Sequence, residues 1–256
     1  MSDFKLSNKV VQSNSLVQQT SWKLNQTSLK LLKVAISCID TTNPTNTVKI
    51  NKNELMNFID DVGSKNHNYL KTQMDKLNIW ITIKDDYQST IRVVLVNKVE
   101  WYHYAEEVEV RFSDELMPFL VNLKENFLQY EVENLKCFDS KYGLILYEYL
   151  LSKKRCNPNV NLFKLSVENL RDLTGTTNKY SKWINFENYV IKPAMNDINN
   201  NDLEISFSYE KIKKGKSIRE IEFDVKMKPK KLNLKYENTY IDKDQMSIDD
   251  YLKEND

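Results

Sequence analysis

Residues 186–210 read FENYVIKPAMNDINNNDLEISFSYE, and KIKKGKSIR follows at 211–219. Phe186, Val190, Ala194 and Ile198 recur every fourth position, the interval at which side chains share one side of an α-helix. The spacing predicts a helix over 186–199 with that seam turned inward. Pro193 brings no N–H and crowds the turn before it, which predicts a kink or restart there. Asn185, Asn188, Lys192 and Asn196 fall on the other side, a face suited to bases and phosphates and equally to plain solvation. Next, LEISFSYEKI and SIREIEFDVKM alternate as strands do. They meet at Lys213-Lys214-Gly215-Lys216, with glycine where a tight hairpin needs positive φ. A helix leading into a hairpin that carries Lys211, Lys213, Lys214, Lys216 and Arg219 has the layout of a recognition helix followed by a wing.

Upstream, KYGLILYEYLLSKK (141–154) has helical spacing, Leu162 to Leu165 reads as a short strand, and Ser166 opens a helix that Gly175 closes. TTNKYSKW then reads as a turn. The first half repeats this order. Helical spacing runs through residues 15–40, with Asn25 or Thr27 as a cap, and Val48 to Ile50 reads as a strand. Asn51 and Glu54 form a capping-box pattern, and Leu70, Met74 and Leu77 share a helix. Strands follow to Phe112, with a helix expected from about Asp114. Residues 117–138 read as helical at first and then extended, joining the halves. The fold class expected is α+β, two tandem winged-helix domains (helix-turn-helix plus β-hairpin). The expected division is 1–125, 126–228 and a polar tail at 229–256. The repeat rests on element order, since no identity between the halves is visible.

Composition narrows the function. No run of 18 apolar residues occurs and the N-terminus lacks a signal-peptide core, so a cytoplasmic protein without membrane spans is expected. Cys38, Cys137 and Cys156 are too scattered for a disulfide framework and read as small buried hydrophobes. His67 and His103 stand apart from them, so no zinc spacing arises. With four glycines and no GxGxxG or P-loop, a nucleotide site is not expected. Acidic pairs such as Asp60–Asp61, Asp85–Asp86 and Asp249–Asp250 fall in turns or the tail, so neither catalytic residues nor cofactors are expected. The formal charge of +1 is unevenly spread: residues 136–228 carry 17 basic against 12 acidic side chains, while the segments on either side are net negative. Only 5 of the 37 basic residues are arginine, which favours phosphate contacts over bidentate base reading.

YGLILYEYL, FKLSVENLRDLTG and YSKWINFENYVIKPAMNDINNNDLEISFSYEKIKKGKSIREIEFDV together resemble the second winged-helix domain of the iteron-binding plasmid replication initiator (Rep) family. VVQSNSLVQQTSWKLNQTSLKLL is similar to that family's opening segment, and VEVRFSDELMPFLVNLKENFLQYEV to its interdomain link. The likeness covers roughly 8–226, and its specific element is F-x₃-V-[IL]-x-P-A-x₃-IN followed by a wing. The resemblance implies binding to direct repeats in duplex origin DNA, opening of a neighbouring AT-rich segment, and recruitment of host helicase or initiator proteins. It also implies a first domain that takes part in dimerisation, with a homodimer in equilibrium with the monomer.

Where many relatives have adjacent basic residues after the helix phenylalanine, this chain has Glu187, Asn188 and Tyr189. Glu187 either accepts from cytosine N4 or sits on the solvent side. Candidate DNA contacts therefore move to Lys179, Lys182, Asn185, Asn188 and Lys192, and to Lys213, Lys214, Lys216 and Arg219 in the wing. Lys65, Lys71 and Lys76 are the candidates in the first domain, around the matching helix at 68–77. A winged-helix repressor or phage DNA-binding protein without initiator activity would share the same fold and sites.

Overall fold

The computed structural model describes residues 3–59, 67–84, 90–102 and 104–229. Lys65, His103 and the tail from residue 230 lie outside them.

Helical spacing over 15–40 becomes two helices, α1 (Asn14–Gln19) and α2 (Gln26–Ser37), because the chain leaves the helix between them to bury Trp22 and Leu24. Asn25 then caps α2, its side chain accepting from the Ser28 N–H at 2.8 Å. Residues 27–37 of α2 are all buried, so this helix is the axis of the first half. β2 (Thr47–Asn51) leads into α3 (Lys52–Ile59), where Asn51 Oδ1 accepts from the N–H groups of Asn53 and Glu54 at 2.9 and 3.1 Å. After α4 (His67–Asp75) come the paired strands β3 (Trp80–Lys84) and β4 (Thr90–Val94), then β5 (Val96–Trp101) and β6 (Glu107–Phe112). β6 lies between β2 and β5, antiparallel to both, and buries Val108, Val110 and Phe112 on alternate positions.

The helix expected from Asp114 is only a 3₁₀ turn at Met117–Phe119, which contains Pro118. The chain then extends into β7 (Phe127–Glu131), antiparallel to β1 (Lys9–Ser13). Neither the strand at 9–13 nor this pairing is legible in the sequence.

α5 (Lys141–Cys156) is capped by Ser140 and packs against α1 and α2 on one side and α8 on another. β8 (Leu162–Ser166), α6 (Val167–Leu173), α7 (Trp183–Phe186), a π-helical turn (Glu187–Ile191) and α8 (Lys192–Asn199) follow, then β9 (Ile205–Lys214) and β10 (Ser217–Met227). The sheet order is β8-β10-β9. α7, the π turn and α8 form one helical run whose seam of Phe186, Val190, Ala194 and Ile198 is fully buried. The break expected at Pro193 takes the form of the π turn just before it. There the Lys192 N–H reaches back to the Glu187 carbonyl, five residues earlier, which widens the helix ahead of the proline.

A buried polar cluster joins α2, β1, β7 and α5. Lys33 Nζ of α2 lies 2.9 Å from Glu148 Oε2 of α5, with side chains 0% and 1% exposed. Glu148 Oε1 accepts from Gln12 Nε2 at 2.6 Å and the Tyr130 hydroxyl at 2.7 Å, while Lys33 also donates to Gln12 Oε1 at 2.8 Å. The ammonium sits 4.5 Å from the centroid of Trp22. Burial pulls the Lys33 pKa below its ordinary value, and Glu148 pulls it back in part. A second contact joins residues 21–22 to the end of α6. Ser21 donates to the Asp172 carbonyl at 2.7 Å, and the Trp22 N–H to the Leu173 carbonyl at 3.3 Å. Cys38 is buried as expected, Cys137 half-buried and Cys156 exposed, so the third does not fit the buried-hydrophobe reading. Among the described residues no helix is long and apolar enough to cross a membrane.

Candidate nucleic-acid interface

α6 and the helical run from Trp183 form a helix-turn-helix. Ser166 caps α6, accepting from the Asn169 N–H at 3.1 Å. Gly175 ends it at φ +63°, with the Gly175 N–H on the Asp172 carbonyl and the Thr176 N–H on the Arg171 carbonyl, the paired bonds of a Schellman close. Arg171 fixes the turn that follows. Its guanidinium donates to the Lys179 and Tyr180 carbonyls, both at 2.9 Å, and lies 4.3 Å from the centroid of Phe186.

Lys179 lies exposed in this turn and Lys182 at the N-cap of α7. Asn185, Asn188 and Lys192 are exposed along the helix opposite the buried seam, and Lys192 Nζ donates to Asn188 Oδ1 at 2.9 Å. In the hairpin, Lys214 pairs with Ser217 across a two-residue loop of Gly215 (φ +66°) and Lys216. Lys213, Lys214 and Lys216 are exposed at its tip. The register slips between Ile218 and Glu220, leaving Arg219 as the extra residue of a bulge, a device that re-aims a side chain.

Glu187 takes neither of the positions expected for it. It is 6% exposed and receives three donors: Trp183 Nε1 at 2.9 Å, the Tyr209 hydroxyl at 2.8 Å and Lys211 Nζ at 2.9 Å. Burial alone would raise its pKa, but the bonds from Lys211, Tyr209 and Trp183 outweigh burial and hold the carboxyl below its ordinary range. Tyr209 and Lys211 belong to β9, so this one carboxylate ties the helix to the stem of the wing. Lys211 is accordingly already paired within the protein, although its side chain stays 41% exposed. The carboxylate's position in the helix is readable from the sequence, but its partners across the hairpin are not.

In the first domain, Lys71 lies exposed on α4 and pairs with Asp75 at 3.1 Å, and Lys76 donates to Gln73 Oε1 at 3.0 Å. These two are thus engaged on and just after α4, and do not join the cluster formed by the second helix and its wing.

The helix-turn-helix with its hairpin defines a winged-helix class. The model of the family described as "Initiator Replication protein, WH1" matches residues 9–151, and that described as "Initiator Rep protein, WH2" matches residues 166–225. The chain belongs to this family of replication initiator proteins and is built from two winged-helix domains. A "Replication initiation protein" of Escherichia coli is 32% identical over 108 residues, covering 39% of this chain; the match spans 33% of that relative's length. Among solved structures, the Pi initiator protein in complex with iteron DNA has a similar fold. Its TM-score is 0.69 at 17% identity, covering 88% of this chain and 99% of that one.

Proposed function

We propose that this chain starts plasmid replication by binding direct repeats (iterons) at an origin, promoting the opening of an adjacent AT-rich segment and helping to load host replication machinery. The observation that carries this reading is the pairing, through Glu187, of an exposed amide-and-lysine helix face with a lysine-tipped hairpin. A duplex could be met by both at once, with the helix in the major groove and the wing on phosphates. Family membership supports it, as does the likeness in fold to an initiator held on iteron DNA. Lys179, Lys182, Asn185, Asn188, Lys192, Lys213, Lys214, Lys216 and Arg219 are the contacts of the second domain, with Lys71 and Lys76 secondary in the first. The protein acts in the cytoplasm as a monomer in equilibrium with a homodimer, binds host helicase or initiator proteins, and performs no chemistry of its own. Lys213, Lys214 and Lys216 lie within the second of the domains proposed at 1–125 and 126–228.

The test is permanganate probing of a supercoiled plasmid carrying the DNA that flanks the chain's own gene. Protected repeats with an opened AT-rich segment are expected. Protection over a closed duplex would indicate a repressor instead, and Mg²⁺-dependent nicking would contradict the non-enzymatic reading.

A further inference from the structure

The outward side of the helical run from Trp183 to Asn199 is not the uniformly basic surface that phosphate contact alone would favour. It exposes Ile184, Asn185, Asn188, Tyr189, Lys192 and Asn196, and the run contains no arginine. Elsewhere among the described residues, large apolar side chains left exposed lie on strands and loops. Ile184, 53% exposed, and Tyr189, 59% exposed, are the ones carried by a helix, and by the same one. Both are weaker helix formers than the lysine or glutamate common at such positions, so helix propensity does not account for them.

Tyr189 is also braced. Its ring stacks on Tyr180 with centroids 5.4 Å apart and planes 22° from parallel. Tyr180 sits at φ +54°, a region a bulky side chain rarely adopts, with its carbonyl held by Arg171. An exposed ring fixed in this way is ordered before any partner arrives, so little is lost in ordering it on contact.

We propose that Ile184 and Tyr189 read thymine, contacting 5-methyl groups in the major groove, and that the duplex beneath this helix is rich in A·T pairs. This rests on the DNA-contact reading of the helix. Only an A·T pair shows a methyl group in that groove, and its adenine offers the N6/N7 edge that an amide takes in two bonds. Guanine's commonest partner, arginine, is missing from the run. Ile184 lies one turn from Asn188, and Asn185 one turn from Tyr189, so each amide has an apolar neighbour along the helix surface. That pairing is the complement of an adenine edge beside a thymine methyl. Lys192 adds a bond that orients the Asn188 amide.

The experiment uses the full chain and the segment it protects on DNA flanking its own gene, prepared as a duplex. Each thymine in a protected repeat is replaced in turn by deoxyuridine, which removes the methyl group and leaves every hydrogen-bonding group in place. Affinity is expected to fall about fourfold at the contacted positions, the effect of leaving one methyl group unburied. Ile184→Ala and Tyr189→Ser should each abolish the deoxyuridine penalty at their own position while the chain remains folded, with Tm unchanged for Ile184→Ala and lowered only slightly for Tyr189→Ser by loss of its stack on Tyr180. Equal affinity for thymine and deoxyuridine at every position, or a penalty unchanged in both variants, overturns the inference while leaving DNA binding intact. A chain that protects no segment overturns the initiator reading and this inference with it.

Discussion

The ammonium of Lys211 lies 2.9 Å from Oε1 of Glu187, so a lysine of the wing is bonded to the helix beside it. The same carboxylate takes the Tyr209 hydroxyl and the Trp183 indole N–H, which makes it one of the ties, with the Asn199–Phe207 bonds, that set the angle between helix and hairpin.

Replacing Glu187 should therefore disturb both stability and binding. Glu187→Ala leaves three donors without their acceptor. Hydrogen bonds to a charged group are worth roughly 1.5–3 kcal/mol each, so a loss of about 2–3 kcal/mol is expected in urea unfolding. Glu187→Gln keeps an acceptor oxygen and should lose less. Affinity for repeat DNA should fall in the same order, read by fluorescence anisotropy at fixed salt.

The pH dependence has a definite sign. A carboxyl held below its ordinary value of 4.5 stabilises the folded chain above that value, and the contribution disappears as pH falls through the lowered one. The difference in Tm between the wild type and Glu187→Gln should therefore be full at pH 6 and shrink progressively below about pH 4.5. A constant difference down to pH 3 would contradict the bonding described for this carboxylate.

Lys33 and Glu148 should behave as a unit. Removing one member of a buried ion pair strands the other charge and typically costs about 3–5 kcal/mol, the loss expected for Lys33→Met. Lys33→Met combined with Glu148→Gln keeps acceptors for Gln12 and Tyr130 and leaves no stranded charge, so most of the loss should return. Denaturant midpoints of the two single variants and the double variant give the coupling directly.

The two left-handed glycines should differ. A Cβ at Gly215 meets nothing within 4 Å, so Gly215→Ala carries only the backbone penalty of about 1–2 kcal/mol. A Cβ at Gly175 would strike the Trp22 carbonyl oxygen, so Gly175→Ala should lower Tm further.

Reversing charge at Lys213, Lys214 and Lys216 should weaken binding to repeat and unrelated duplexes alike, and the slope of log K against log salt should shallow by about 0.9 for each phosphate no longer neutralised. These residues are exposed, so Tm should change little. An unchanged affinity at low salt would remove the wing from the interface.

What the sequence disclosed is what neighbouring residues determine. The Phe186–Ile198 seam, the caps at Asn25 and Ser166, the helix end at Gly175 and the turn at Gly215 each depend on residues a few positions apart. β1 is hidden because KVVQS shows no turn chemistry of its own, and its partner β7 lies far along the chain at Phe127–Glu131. Glu187 was misplaced for a similar reason, since two of its donors stand 22 and 24 residues away on a strand. The tie between Gln12 and Glu148 spans 136 residues, a distance over which periodicity carries no information.

α5 packs on α1 and α2 from the region of the first match and on α8 from the second, and Ser21 and Trp22 reach across to the end of α6. Such a joint would work as a caliper, with the spacing of the two winged-helix domains set by these contacts. On DNA, a repeat would be accepted by phase as well as by its letters. Inserting about half a helical turn, roughly 5 base pairs, between its two contacted stretches should defeat recognition while leaving every base in place.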